Sequence, residues 1–185
     1  MITSETFVVV FCGSVITAHP NLSWWLWHEG FQPKNVYWHR SIRRRGAHDV
    51  DYNHGVRTAL ESGKSDLMFC DCDMEPGPGN ARTTPFLEDR YDLQCVQCPT
   101  ECGDASWSSA DSFHTGMWRA KRESIERLGM PLFRWPTTAD GAEMTGCMCK
   151  PLVEKARQLG LTTGHVGKAG HLLGDRHENS LIIRT

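Results

Sequence analysis

Apolar and polar positions along the chain alternate between two periods. Phe7 to Phe11 is a short β-branched and aromatic run that ends at Cys12, Gly13 and Ser14, the pattern of a buried strand opening into a loop. Asn21 to Gly30 carries Trp24, Trp25 and Trp27 and stops at a glycine, which predicts a helix packed on a sheet through its tryptophans. Val36 to His39 reads as a second strand. Val56, Ala59 and Leu60 at helical spacing predict a helix over Tyr52–Ser62, closed by Gly63. The apolar half of Ser65 to Met74 is a third buried strand, and Tyr91 to Val96 a fourth. Further helices are expected over Arg119–Leu128, before Gly129, and over Leu152–Leu159, before Gly160. The segment from Leu161, with His165, His171 and His177, is read as a tail without an element.

Strand, helix and strand in succession predict an α/β fold: a mostly parallel central sheet with helices on both faces. At 185 residues the chain fits one domain over 1–185. In such sheets ligands collect at the carboxyl ends of strands. The third strand ends there in Asp71 and Asp73.

Those carboxylates are two residues apart, so along a strand they leave the same side and can lean toward one point. Two hard oxygen ligands at one point suit magnesium or manganese, and a nucleotide diphosphate would complete the shell. Taken alone, an acidic pair at a strand end can equally cap a turn. The turn-rich Glu75 to Asn80 and the polar stretch from Pro99 to Ser112 are the expected loops around the site.

Net charge is −2, which gives no general reason to expect nucleic acid, and the run Arg43, Arg44, Arg45 reads as a solvated loop. The N-terminus lacks the pattern of a secretory signal and no segment has the length of a membrane span, so a cytoplasmic protein is expected. The eight cysteines are expected to be reduced thiols. A rival use for them is a structural zinc module of Cys95, Cys98 and Cys102 with Cys70, Cys72, Cys147 or Cys149, although no second pair repeats the spacing of Cys95 and Cys98.

Taken in order, the first strand, the acidic strand end Asp66–Met74, the motif Phe113–Arg122, the segment Leu128–Trp135, the acidic loop and a late histidine resemble a compact glycosyltransferase of the GT-A fold, closest to family-two-like enzymes. The resemblance runs from about Phe7 to Gly174. It implies that Asp71 and Asp73 hold manganese or magnesium on the diphosphate of a nucleotide-sugar donor, with His171, or alternatively His165, as a third ligand. It implies a carboxylate that takes the proton of an acceptor hydroxyl, for which Glu143 and Asp140 stand in the corresponding loop without the family's usual GluAsp pair. Cys12, Gly13, Ser14, Asp51 (or Asp49), Arg57 and Cys72 fall in regions that meet the nucleotide in similar enzymes. Gly116 and Trp118, with Trp107 and His114, fall at the sugar and acceptor wall. The implied partners are the donor and a saccharide or other hydroxyl acceptor, with an oligomer compatible with so short a chain. The same acidic site would also serve a nucleotidyl or phosphoryl transferase.

Overall fold

A computed structural model of the chain describes residues 1–13, 18–41, 48–76, 83–98, 113–141 and 146–171. Its strands are β1 (Phe7–Cys12), β2 (Val36–Arg40), β3 (Asp66–Asp71), β4 (Met74–Glu75), β5 (Leu93–Gln97), β6 (Met117–Lys121), β7 (Thr163–Lys168) and β8 (Gly170–His171). The helices are α1 (Pro20–His28), α2 (His48–Glu61), α3 (Arg122–Leu128) and α4 (Cys149–Gln158). Six strands form one sheet in the order β2-β1-β3-β6-β5-β7, and β4 pairs with β8 in a separate two-stranded ladder.

The pairings β1–β2, β1–β3 and β5–β7 are parallel, while β6 runs antiparallel to β3 and β5. The period of two along each strand divides the interior. Val9, Phe11, Leu67, Phe69, Cys95 and Trp118 face one core, against Tyr52 and Val56 of α2, Ile125 of α3 and Leu152 of α4. Val8, Val10, Met68, Cys70 and Met117 face the other, against Leu22 and Trp25 of α1. Helices therefore cover both faces of a mixed, mostly parallel sheet. Gly55 lets α2 approach β1 closely, since a Cβ there would lie 2.4 Å from the Phe11 ring.

Several elements differ from the sequence reading. The segment expected to begin a helix at Arg119 is instead β6, and α3 starts only at Arg122. Its charged composition favours a helix, but Trp118 and Ala120 fill one core while Met117 faces the other, which only a strand permits. The segment after Leu161 forms β7 and β8, held by the edge of β5 and by β4. α4 begins at Cys149 and α2 at His48, each before the expected start.

Placing Arg119 in a strand buries its guanidinium, which donates to Phe86 O at 2.9 Å, Glu88 O at 2.6 Å and Asp89 Oδ1 at 2.6 Å. Burial of Asp89 opposes its ionisation, but Arg119, the chain's N-terminal amine and Lys121 win and hold its pKa at about 2. A depressed carboxylate pKa stabilises the fold fully above the ordinary value of about 4, and the gain is lost as pH falls toward 2. The Asp89 side chain is 49% exposed, so solvent screening limits this to no more than about 1 kcal/mol. Asp89→Asn is expected to lower the urea midpoint at pH 7, with about half of that gap closed at pH 3 and most of it only near pH 2.

Candidate metal and nucleotide site

Asp71 is the last residue of β3, and a two-residue turn carries the chain through Cys72 and Asp73 into β4. Backbone bonds fix the turn from both sides: Cys72 N–H donates to Phe11 O at 2.9 Å, and His19 N–H to Cys72 O at 2.6 Å. Asp71 N–H donates to Gly116 O at 2.7 Å. The ladder of β4 on β8 sets Met74 opposite His171, and so delivers an imidazole from the far end of the chain to the acidic pair. Asp71, Asp73 and His171 each offer a ligand atom, and these atoms all lie within 4.8 Å of one another. Among the described residues this is the cluster able to hold a metal ion.

Its electrostatics are set by burial. Burial opposes protonation of His171, but hydrogen bonds to Asp73 and Cys98 and the charges of Asp73 and Asp71 push its pKa up to about 11. His171 Nε2 lies 3.2 Å from Asp73 Oδ1, an imidazolium between carboxylates. For His171 to join Asp71 and Asp73 as a ligand of a divalent cation, its imidazole would have to give up that proton. Burial first, and the Asp71 charge second, push the Tyr52 phenol well above its usual pKa, so it stays protonated and donates to Asp71 Oδ1. Two carboxylate oxygens and one imidazole nitrogen suit a divalent cation of the magnesium–manganese type. The residues present fit such an ion.

Tyr52 was not singled out from sequence, and Cys98 only as a candidate zinc ligand, not as a partner of His171. The one signal for Tyr52 is a phenol on the buried side of α2, which needs a polar partner at its tip. Outer partners of this kind orient metal ligands. Tyr52→Phe keeps the ring packing and is expected to weaken cation affinity about 10-fold or more, read by manganese titration, with little loss of thermal stability.

The nucleotide-facing residues proposed from sequence are distributed around this centre. Cys12 closes β1 and is hydrogen-bonded to Cys72, whose thiol pKa rises on account of that bond and of burial. Gly13 follows it, exposed, with open space where a Cβ would stand. Asp51 on α2 accepts from Ser41 Oγ at 2.5 Å and lies 3.8 Å from Nε2 of the buried His39. Burial lowers the His39 pKa, and neighbouring His54 adds to the effect, so His39 is neutral near pH 7. Arg57 and Asp49 lie on α2, Arg57 on its exposed side. Ser14, Trp107 and Glu143 fall outside the described residues.

Gly116 sits where a Cβ would meet Met74 Sδ at 3.0 Å, His114 Nδ1 at 3.6 Å and Cys98 Sγ at 3.7 Å, directly behind the acidic turn. The His114 and His171 rings are 6.3 Å apart, edge to face. Trp118 departs from its sequence reading: it is fully buried, stacked on Phe69 in the core, and forms no wall of an open groove. His165 lies on β7 opposite Cys95, outside the Asp71–Asp73–His171 cluster. Asp140 is exposed and accepts from its own loop through Thr138 Oγ1 at 2.6 Å. The zinc module does not assemble among the described residues: Cys95 faces one core and Cys98 the other, on opposite sides of the sheet.

Sheet order, helices on both faces and an acidic turn at the carboxyl end of β3 make up a GT-A-like, Rossmann-like fold. No family model matches the sequence, and no curated protein matches it. Among solved structures, a mutant of Drosophila β1,4-galactosyltransferase 7 in complex with manganese, UDP-Gal and xylobiose is similar over 97% of this chain and 76% of its own, with a TM-score of 0.57 and 14% identity. A197 from STIV is similar over 91% of this chain and 86% of its own, with a TM-score of 0.54 and 18% identity. At such identities the likeness is one of fold.

Proposed function

We propose that this protein is a metal-dependent glycosyltransferase that moves a sugar from a nucleotide diphosphate sugar to a hydroxyl acceptor such as a saccharide. The observation that carries this reading is the convergence of Asp71, Asp73 and His171 on one point at the end of the central strand of a GT-A-like sheet. Manganese or magnesium there supplies Lewis-acid stabilisation of the charge that gathers on the departing diphosphate.

The chain's own residues do the rest. Asp71 and Asp73 provide anionic oxygens, Tyr52 fixes the orientation of Asp71, and Cys98 fixes that of His171. The open backbone at Gly13, together with Cys12, Ser14, Cys72, Arg57 and the Asp51 carboxylate, holds the nucleotide. His114, Gly116 and Trp107 face the transferred sugar and the acceptor, and a carboxylate of the loop containing Asp140 and Glu143 accepts the acceptor's proton. The protein is read as cytoplasmic, with its thiols reduced.

Incubation of the purified protein with a panel of nucleotide sugars, manganese and simple saccharides tests the reading. Release of free nucleoside diphosphate is expected. Release of pyrophosphate from nucleoside triphosphate and sugar phosphate, with no nucleoside diphosphate formed, would replace it with nucleotidyl transfer.

A further inference from the structure

Cys147 and Cys149 stand one residue apart where α4 begins, and their sulfurs are 3.0 Å from each other. Two thiols at this separation need to close by only about 1 Å to reach the disulfide bond length of about 2.05 Å. Their surroundings differ. Cys147 is partly exposed, and its sulfur accepts the Cys149 backbone N–H at 3.4 Å. Cys149 is buried, with its sulfur 3.8 Å from Thr115 Oγ1. The other described cysteines, Cys12, Cys70, Cys72, Cys95 and Cys98, are all buried.

We propose that Cys147 and Cys149 form a reversible dithiol–disulfide site that exchanges with small-molecule disulfides. Cys147 is the attacking thiol, being the one that solvent reaches, and Cys149 is the resolving thiol. In the first step Cys147, its proton released to water, attacks one sulfur of a disulfide RSSR. One RS⁻ leaves and is protonated, and a mixed disulfide remains on Cys147. Cys149 then gives up its proton and attacks the Cys147 sulfur, expelling the second RSH and closing the internal bond. Two protein thiols are oxidised and one external disulfide is reduced to two thiols, so electrons and protons balance.

The site is separate from the cation cluster but touches the residues behind it. Thr115 is hydrogen-bonded to Tyr52, and Tyr52 to Asp71. The chemistry itself needs neither cation nor nucleotide, so it stands or falls apart from the transferase reading.

The test is incubation of the native full chain with oxidised glutathione, followed by differential alkylation and peptide mass mapping. The wild type is expected to lose the Cys147 and Cys149 thiols, carry a Cys147–Cys149 disulfide, retain no glutathione on either residue, and recover both thiols with dithiothreitol. Cys149→Ser is expected to accumulate glutathione on Cys147, and Cys147→Ser to take up none at Cys149. Phenylarsine oxide, which bridges paired thiols, is expected to bind the native wild type and neither variant, a readout that does not depend on glutathione. Glutathione retained on Cys147 in the wild type, reaction at Cys70 or Cys95 ahead of the pair, or no thiol loss in the folded wild type would overturn the proposal.

Discussion

Asp73→Asn is expected to abolish cation binding at micromolar manganese and to lower turnover by on the order of 10³-fold, the rate equivalent of several kcal/mol of Lewis-acid stabilisation. The substitution keeps the volume of a side chain that is almost fully buried, so packing changes little. What it removes is one anionic oxygen and, with it, the partner 3.2 Å from His171 Nε2. Two of the three ligands are thus disturbed by one change. Asp71→Asn has the same direction, with Tyr52 left donating to an amide oxygen. Manganese titration and turnover of a purified, folded variant check both halves. Wild-type affinity in Asp73→Asn would remove the acidic pair from the account.

Trp118→Ala is expected to cost about 3–5 kcal/mol of stability, the usual range for deleting a large buried aromatic ring. Trp118 is fully buried, stacked on Phe69 with ring centroids 4.2 Å apart, and meets Phe113 and Phe133 edge to face at 5.8 and 5.7 Å. A cavity of that size in the middle of β6 removes packing from three neighbouring rings at once. Trp118→Phe is expected to be much milder. It keeps a stacking ring and removes an indole N–H that is buried without a hydrogen-bond partner, which offsets part of the lost contact. Urea unfolding measures both variants. Unchanged stability in Trp118→Ala, with weakened sugar or acceptor binding, would return Trp118 to the groove.

The sheet and the helices on both faces were legible because β1 and β3 are continuous apolar runs, and because α2 closes on a glycine. The acidic strand end was legible for the same reason: charge appears abruptly where the buried run stops. β6 was hidden by composition. Its Arg119 and Lys121 carry helix-forming character, and only the burial of Arg119 against carbonyls and Asp89 makes a strand tolerable there. The GT-A resemblance pointed to His171, which the structure does bring to the acidic pair, but residue pattern alone carried no sign of how it arrives there. His171 meets Asp73 through the β4–β8 ladder, two residues of strand on each side, too short for any periodicity to announce. Tyr52 and Cys98 act on the ligands through tertiary contacts with Asp71 and His171, and spacing carries no trace of such contacts.

The central claim is that a divalent cation on Asp71, Asp73 and His171 is what holds a nucleoside diphosphate to this protein. Calorimetric titration of a nucleoside diphosphate into the wild type, with and without manganese, measures it directly. The account predicts binding in the presence of manganese and none without it, with both arms silent in Asp73→Asn. Binding of equal strength in the two arms, or manganese-dependent binding that survives in Asp73→Asn, would contradict it.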